Sequence, residues 1–238
     1  MSTDPRVYRE FVYREARFRI CCSHFDAVTA EIIEQREILG RFLELHPAIQ
    51  AAFAPLPLPD AAPEITRRMH EASQTVGVGP MAAVAGTVAQ LAAEAGLAAG
   101  AEEVIVENGG DIFLKLTAPA TVGLYAGDAA IGASLGLALA PEETPLAICS
   151  SSGRMGHSTS LGACDLVTVV ATSAALADAA ATHAANTVRG EADVDAALAV
   201  LAEIPGLQGA LIAQGARVGT IGRLPQLVRQ RPQDPAEA

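Results

Sequence analysis

The 238-residue chain is half hydrophobic and carries 16 Lys and Arg against 27 Asp and Glu, a formal charge of −11. That length buries one sizeable core or two small ones closely joined, and the acidic balance disfavours phosphate backbones and anionic membranes, so neither nucleic acid nor membrane is an expected partner. Aromatic residues make up 4% and Trp is absent, which leaves few stacking platforms for bases or flat rings.

In chain order, "REFVYREARFRICC" alternates apolar and charged residues in strand fashion and predicts one strand or a hairpin. It lacks the apolar run of a secretion signal, so a cytoplasmic location with reduced thiols is expected for Cys21, Cys22, Cys149 and Cys164, whose spacing fits no zinc site. "TAEIIEQREILGRFLELH" carries helical periodicity, with Thr29 as its predicted cap. "PAIQAAFAPLPLPDAAP" predicts a surface loop, and its proline content also suits a peptide ligand. A short helix near "EITRRMHEA", the turn "VGVGP" and a helix from Pro80 to about Leu97 follow. The tract from Gly79 to Gly100 is interrupted by Gln90 and Glu94 and too rich in small residues to predict a membrane span.

Strand signals then take over. "EEVIVENGGDIFLKL" predicts two strands around Asn-Gly-Gly, followed by "TVGLYAG", "IGASLGLALA", "PLAICSSSG" and "DLVTVVA". Two helices, "ALADAAATHAANT" and "DVDAALAVLAEI", precede two closing strands, "GALIAQ" and "RVGTIG". This order predicts an α+β fold with largely antiparallel sheets, built as one domain of two similar strand-helix-strand halves at about 7–140 and 141–225, with a frayed tail over 229–238.

Four stretches carry polar groups that invite chemistry. In "ALADAAATHAANT", Asp178, Thr182 and Asn186 recur every four residues and form one stripe on an alanine helix. Asp and Thr are poor choices for a helix interior, and a carboxylate and hydroxyl one turn apart suit a hard cation such as Mg2+. A solvated polar face, with Asp178 near the helix N-terminus, explains the same stripe. His183 lies off it and is expected to pack. "ENGGDIF" reads first as a hairpin turn, yet its glycines also let a ligand approach between Glu107 and Asp111. "VGVGPMAAVAG" matches G-x-G-x-x-A at Gly77, Gly79 and Ala82, but a helix precedes it where a dinucleotide fold needs a strand; a helix start still suits a diphosphate. "ICSSSGRMGHSTSLGACD" holds hydroxyls, glycines and His157, fit to cradle an anionic or heteroaromatic ligand or simply to form a serine-rich loop. Cys149 there is either a reactive thiol or a buried, inert one.

Together, and in order, "VGPMAAVAG", "VENGGDIF", "ICSSSGRMGHS" and "ALADAAATHAAN" resemble the ApbE-like flavin transferase superfamily, closest to its shorter branch, over about Val76 to Val188. The resemblance implies a duplicated α+β fold of the tunnelling-fold type and a flavin nucleotide ligand. In the family's enzymes, FAD is bound with Mg2+ and its FMN half passes to a hydroxyl of an acceptor protein. Carried onto this sequence, Asp178, Thr182 and the Ala85 carbonyl become the Mg2+ ligands. Gly79, Met81, Asn108, Gly109, Gly110 and Asp111 lie near the cofactor, and Ser151, Ser152, Gly153 and His157 on its nucleotide side. Asp111 and His157 are both expected as the base, and the sequence does not choose between them.

Two features depart from the family pattern. Ala85 precedes Gly86 where transferases carry a lysine, and no lipoprotein signal or FAD-enclosing N-terminal segment is evident. The alternatives to flavin transfer are thiol or persulfide chemistry at Cys149, or a ligand- or partner-binding module without turnover. A homodimer is the base-rate expectation for assembly.

Overall fold

The computed structural model describes residues 6–125, 135–153 and 163–229. The N-terminal segment folds as a hairpin, β1 (Arg9–Tyr13) and β2 (Ala16–Cys22). Helix α1 (Phe25–Leu45) starts four residues before the predicted cap. Thr29 lies inside it, donating its hydroxyl to the Asp26 carbonyl at 3.2 Å, and the capping position His24 makes no side-chain cap. The proline-rich stretch is a loop interrupted by the short helix α2 (Pro47–Ala51). Helix α3 (Glu64–Val76) ends at Gly77 in the left-handed conformation, the usual glycine stop. One 3-10 turn, Pro80–Ala83, leads into α4 (Val84–Ala98).

Five strands follow: β3 (Val104–Asn108), β4 (Asp111–Lys115), β5 (Ala120–Leu124), β6 (Leu135–Leu139) and β7 (Leu146–Ser151). The chain continues through β8 (Leu166–Ala171), α5 (Ala174–Thr187), α6 (Val194–Ala202), β9 (Leu207–Gln214) and β10 (Arg217–Gly222). A last strand, β11 (Gln226–Arg229), stands where the sequence pattern gives no strand.

The main sheet has eight strands in the order β1-β2-β3-β4-β7-β8-β9-β10, and every pairing is antiparallel. Its first four and last four strands share one connectivity: a hairpin, then helices, then a second hairpin that returns beside the first. Between the two sets, β5 and β6 leave the main sheet and pair with β11 as a three-stranded sheet.

Alternation along the strands splits the core in two. Val106, Phe113, Ala147, Cys149, Val169 and Ile212 face the helices, whereas Ile105, Leu114, Ile148, Val170 and Leu211 face Leu124, Leu137 and Leu139 of the small sheet. With both faces covered, the central strands read as continuous apolar runs, and β8 is buried at every position. Pro80–Ala98 is long and apolar enough to pass for a membrane span by length and composition, yet half of its apolar window is buried within this fold. Its small residues serve helix packing: a Cβ on Gly86 would lie 2.5 Å from the Ala174 carbonyl oxygen.

Candidate functional site

One row of directly opposed residues crosses the helix-facing side of the main sheet: Phe18, Asn108, Asp111, Cys149, Val169 and Ala210. The three in the middle are polar in an otherwise apolar row. Asn108 and Asp111 are 7% and 8% exposed and Cys149 is fully buried, so their polar atoms need partners inside the protein. The turn joining Asn108 to Asp111 is two glycines with φ of +68° at Gly109 and +127° at Gly110, backbone that side-chain-bearing residues rarely adopt. Among the described residues nothing stands within 4 Å of a Cβ built on Gly109.

Above this row, α4 and α5 are stitched together by side chains. Asn108 donates its Nδ2–H to the Ala85 carbonyl at 3.1 Å. The next backbone N–H, that of Gly86, donates to Asp178 Oδ2 at 2.9 Å. Gln90, one turn further along α4, accepts the Ala174 N–H at 2.8 Å and satisfies one of the free donors at the start of α5. Ser173 caps the same helix by accepting the Leu176 N–H at 3.3 Å.

Two carboxyls therefore sit in one buried space, Asp111 from the sheet and Asp178 from α5. Burial pushes the Asp178 carboxyl well above the usual range and the Asp111 charge pushes it further, while N–H donation from Gly86 and Ala85 pulls back. Burial also raises Asp111, to about 7, against the lowering effect of its hydrogen bond with Cys149. Asp111 Oδ1 is buried without a hydrogen-bond partner among the described residues. A free carboxylate oxygen beside a second buried carboxyl is costly unless a cation or donor joins them, and all-oxygen donors suit a hard divalent cation. No group of three or more His, Cys, Asp or Glu able to hold a metal occurs among the described residues. A cation here would draw on Asp178, hydroxyl and carbonyl oxygens, and its own substrate.

Thr182 lies one turn beyond Asp178 and is partly exposed, as is Asn186. His183 is half-buried, and burial alone holds its imidazole below the ordinary value, consistent with a packing role. Ser151 ends β7 on the helix-facing side, two positions after Cys149. Ser152 Oγ–H and Gly153 N–H both donate to the Cys164 carbonyl, at 3.3 and 2.8 Å, and anchor the end of β7 to the start of β8. His157 lies outside the described residues. Gly79 and Met81 have packing explanations: a Cβ on Gly79 would meet the Ala52 carbonyl oxygen at 1.8 Å, and Met81 packs against the core.

Cys149 does not have the surroundings of a reactive thiol. It is fully buried, its Sγ–H contacts the Ala174 carbonyl at 3.5 Å, and burial together with the Asp111 and Asp178 charges pushes its pKa up. Such a sulfur stays protonated and acts as a donor. Its position opposite Asp111 was missed by sequence reading, as were Gly86 and Gln90 as links between the helices.

The architecture recurs in solved structures. The apo flavinyl transferase ApbE of Pseudomonas stutzeri aligns with a TM-score of 0.57 at 12% identity, over 98% of this chain and 97% of that one. The ApbE protein of Thermotoga maritima aligns with a TM-score of 0.53 at 14% identity, over 94% and 97%. These likenesses define the class as an ApbE-type α+β fold. Within that class the chain belongs to the family described as AbpE bacteria, whose model matches residues 19–213. Its relatives include a UPF0280 protein of Methanosarcina barkeri, 40% identical over 208 residues (87% of this chain, 82% of the relative). Another, of Methanocella arvoryzae, is 43% identical over 198 residues (83% and 80%).

Proposed function

We propose that this protein binds FAD together with Mg2+ and transfers the FMN half to a hydroxyl of an acceptor protein. The observation that carries the reading is the buried Asp111 and Asp178 pair under the α4 and α5 crossing, with one Asp111 oxygen unpartnered among the described residues. The ApbE-type fold supports it, since the Pseudomonas stutzeri neighbour is a flavinyl transferase.

In this reading Asp178, Thr182 and the Ala85 carbonyl hold the cation. Asn108 fixes that carbonyl through its amide, and Gly86 N–H fixes one Asp178 oxygen. Bound Mg2+ would neutralise the diphosphate and stabilise charge on the departing AMP. The Gly109 and Gly110 turn receives the flavin side, and Ser151 to Gly153 with His157 border the nucleotide side. Asp111, with a carboxyl near 7, is matched to take the acceptor's hydroxyl proton near neutral pH. The hydroxyl oxygen then bonds to the phosphorus of the FMN half, the diphosphate P–O bond breaks, and AMP leaves with the electron pair.

The test is incubation with FAD, Mg2+ and candidate acceptor proteins, read by mass spectrometry. An FMN adduct with stoichiometric AMP supports the reading, and Asp178→Ala abolishes both. Tight FAD binding with neither product identifies a binding module without turnover.

A further inference from the structure

We infer that Gln90 is a positioning residue for the cation site: it fixes the start of α5 against α4 and so holds Asp178 in place, which rests on the role given to Asp178 above. Two hydrogen bonds cross between these helices, Gly86 N–H to Asp178 Oδ2 at 2.9 Å and Ala174 N–H to Gln90 Oε1 at 2.8 Å. The two pairs are four residues apart on each helix, and the numbering rises along α4 as it falls along α5. They form two rungs, one turn apart, between antiparallel helices. Asp178 and Thr182 continue the Ala174 row at one-turn steps, so a shift or rotation of α5 at the Ala174 rung carries both with it. Ala174 is fully buried and opens α5, where a backbone N–H has no acceptor within its own helix. Gln90 supplies that acceptor from α4.

The Gln90 amide is itself held. Its Nε2–H donates to Glu94 Oε1 at 2.9 Å, and the same oxygen accepts from Arg68 Nη1 at 2.9 Å, while Arg68 Nε–H donates to Glu64 Oε1 at 2.9 Å. A carboxylate only accepts, so Glu94 draws the NH2 end of the amide and leaves the carbonyl end toward Ala174. A partly exposed ion pair between α3 and α4 thus sets how a side chain in the helix crossing points. Leucine at position 90 would fill the space with neither acceptor nor donor. Glutamate there would keep the acceptor but set a second carboxylate against Glu94, a conflict that Glu94→Gln removes.

Amide hydrogen exchange read by NMR tests the coupling without any ligand. In Gln90→Leu the Ala174 and Gly86 amides are both expected to exchange about fivefold faster relative to the amides of β8. Faster exchange at Ala174 with Gly86 unchanged would mean that Gln90 only completes the start of α5, and overturns the inference. Equal acceleration at all three places would show a general loss of stability and also overturn it. In calorimetry, Gln90→Leu and Gln90→Glu are each expected to reduce the Mg2+-dependent tightening of FAD binding about fivefold, and Gln90→Glu with Glu94→Gln to recover most of it. A double variant as impaired as Gln90→Glu alone would mean that these hydrogen bonds do not set the site, and would count as refutation. Absence of flavin binding by wild type would sink the functional reading, and the Gly86 exchange rate would still decide whether Gln90 holds Asp178.

Discussion

Asp178 reaches from α5 to the backbone N–H of Gly86 on α4, and its Oδ2 accepts that hydrogen bond at 2.9 Å. The contact exists because Gly86 has no side chain: a Cβ there would lie 2.5 Å from the Ala174 oxygen and 2.9 Å from Asp178 Cβ. The glycine lets two helices approach closely enough for a backbone donor on one to fix a carboxylate on the other.

Gly86→Ala should therefore act on both packing and the site. Forcing a methyl into this crossing is expected to cost about 1–3 kcal/mol, read as a lower urea midpoint at unchanged m-value. Full stability in the alanine variant would mean that the helices separate at no cost.

The thiols should divide by burial. Cys149 and Cys164 are fully buried and their pKa values are raised, that of Cys164 to about 11, whereas Cys21 and Cys22 are partly exposed, although burial raises Cys22 too, and none of the four is in a disulfide. Brief iodoacetamide treatment of the native protein near neutral pH, followed by peptide mass spectrometry, should label Cys21 and Cys22 well ahead of the buried pair. Rapid labelling of Cys149 would revive thiol chemistry as the reading of this site.

An ion pair away from the site gives a pH signature. Glu103 receives two 2.8 Å hydrogen bonds from Arg6 and further bonds from the Thr117 N–H at 2.9 Å and hydroxyl at 3.2 Å. Burial raises this carboxyl, but those donors and the Arg6 charge outweigh it and hold the pKa below the usual range. A depressed folded value means that the unfolded chain binds more protons, so this stabilisation is present above the ordinary carboxylate range and lost as pH falls through the folded value. Glu103→Gln should cost about 1–2 kcal/mol near neutral pH and flatten that acid limb. Urea titrations across the acid range provide the measurement.

Much of the architecture was legible because the periods were clean. The hairpin at "REFVYREARFRICC", the Asn-Gly-Gly turn and the helices at "EITRRMHEA" and "ALADAAATHAANT" all form where pattern places them. β11 was not legible, since four residues between Pro225 and a polar tail carry no alternation to read and depend on β6 for their pairing. Helix α1 begins at Phe25 because apolar packing of its first turn, against Phe11, decides the start more than Thr29 does.

The site was legible as residues but not as an arrangement. Spacing put Asp178, Thr182 and Asn186 on one stripe, yet only Asp178 is buried, and Thr182 and Asn186 are partly exposed on the later turns of α5, a helix packed against β7, β8, α3 and α4. The register of β4 against β7 spans the excursion through β5 and β6, so no local pattern could bring Cys149 beside Asp111. Nor could spacing reveal Asn108 bonding to Ala85 across 23 residues.

In the proposed function Asp178 holds the cation beside Asp111, and the cation binds a flavin diphosphate. Calorimetric titration of FAD into wild type and Asp178→Ala, with and without Mg2+, tests it most directly. FAD binding that Mg2+ tightens at least about tenfold is expected in wild type, with this gain lost in Asp178→Ala. No FAD binding by wild type in either condition, or an equal Mg2+ effect in the variant, would contradict it.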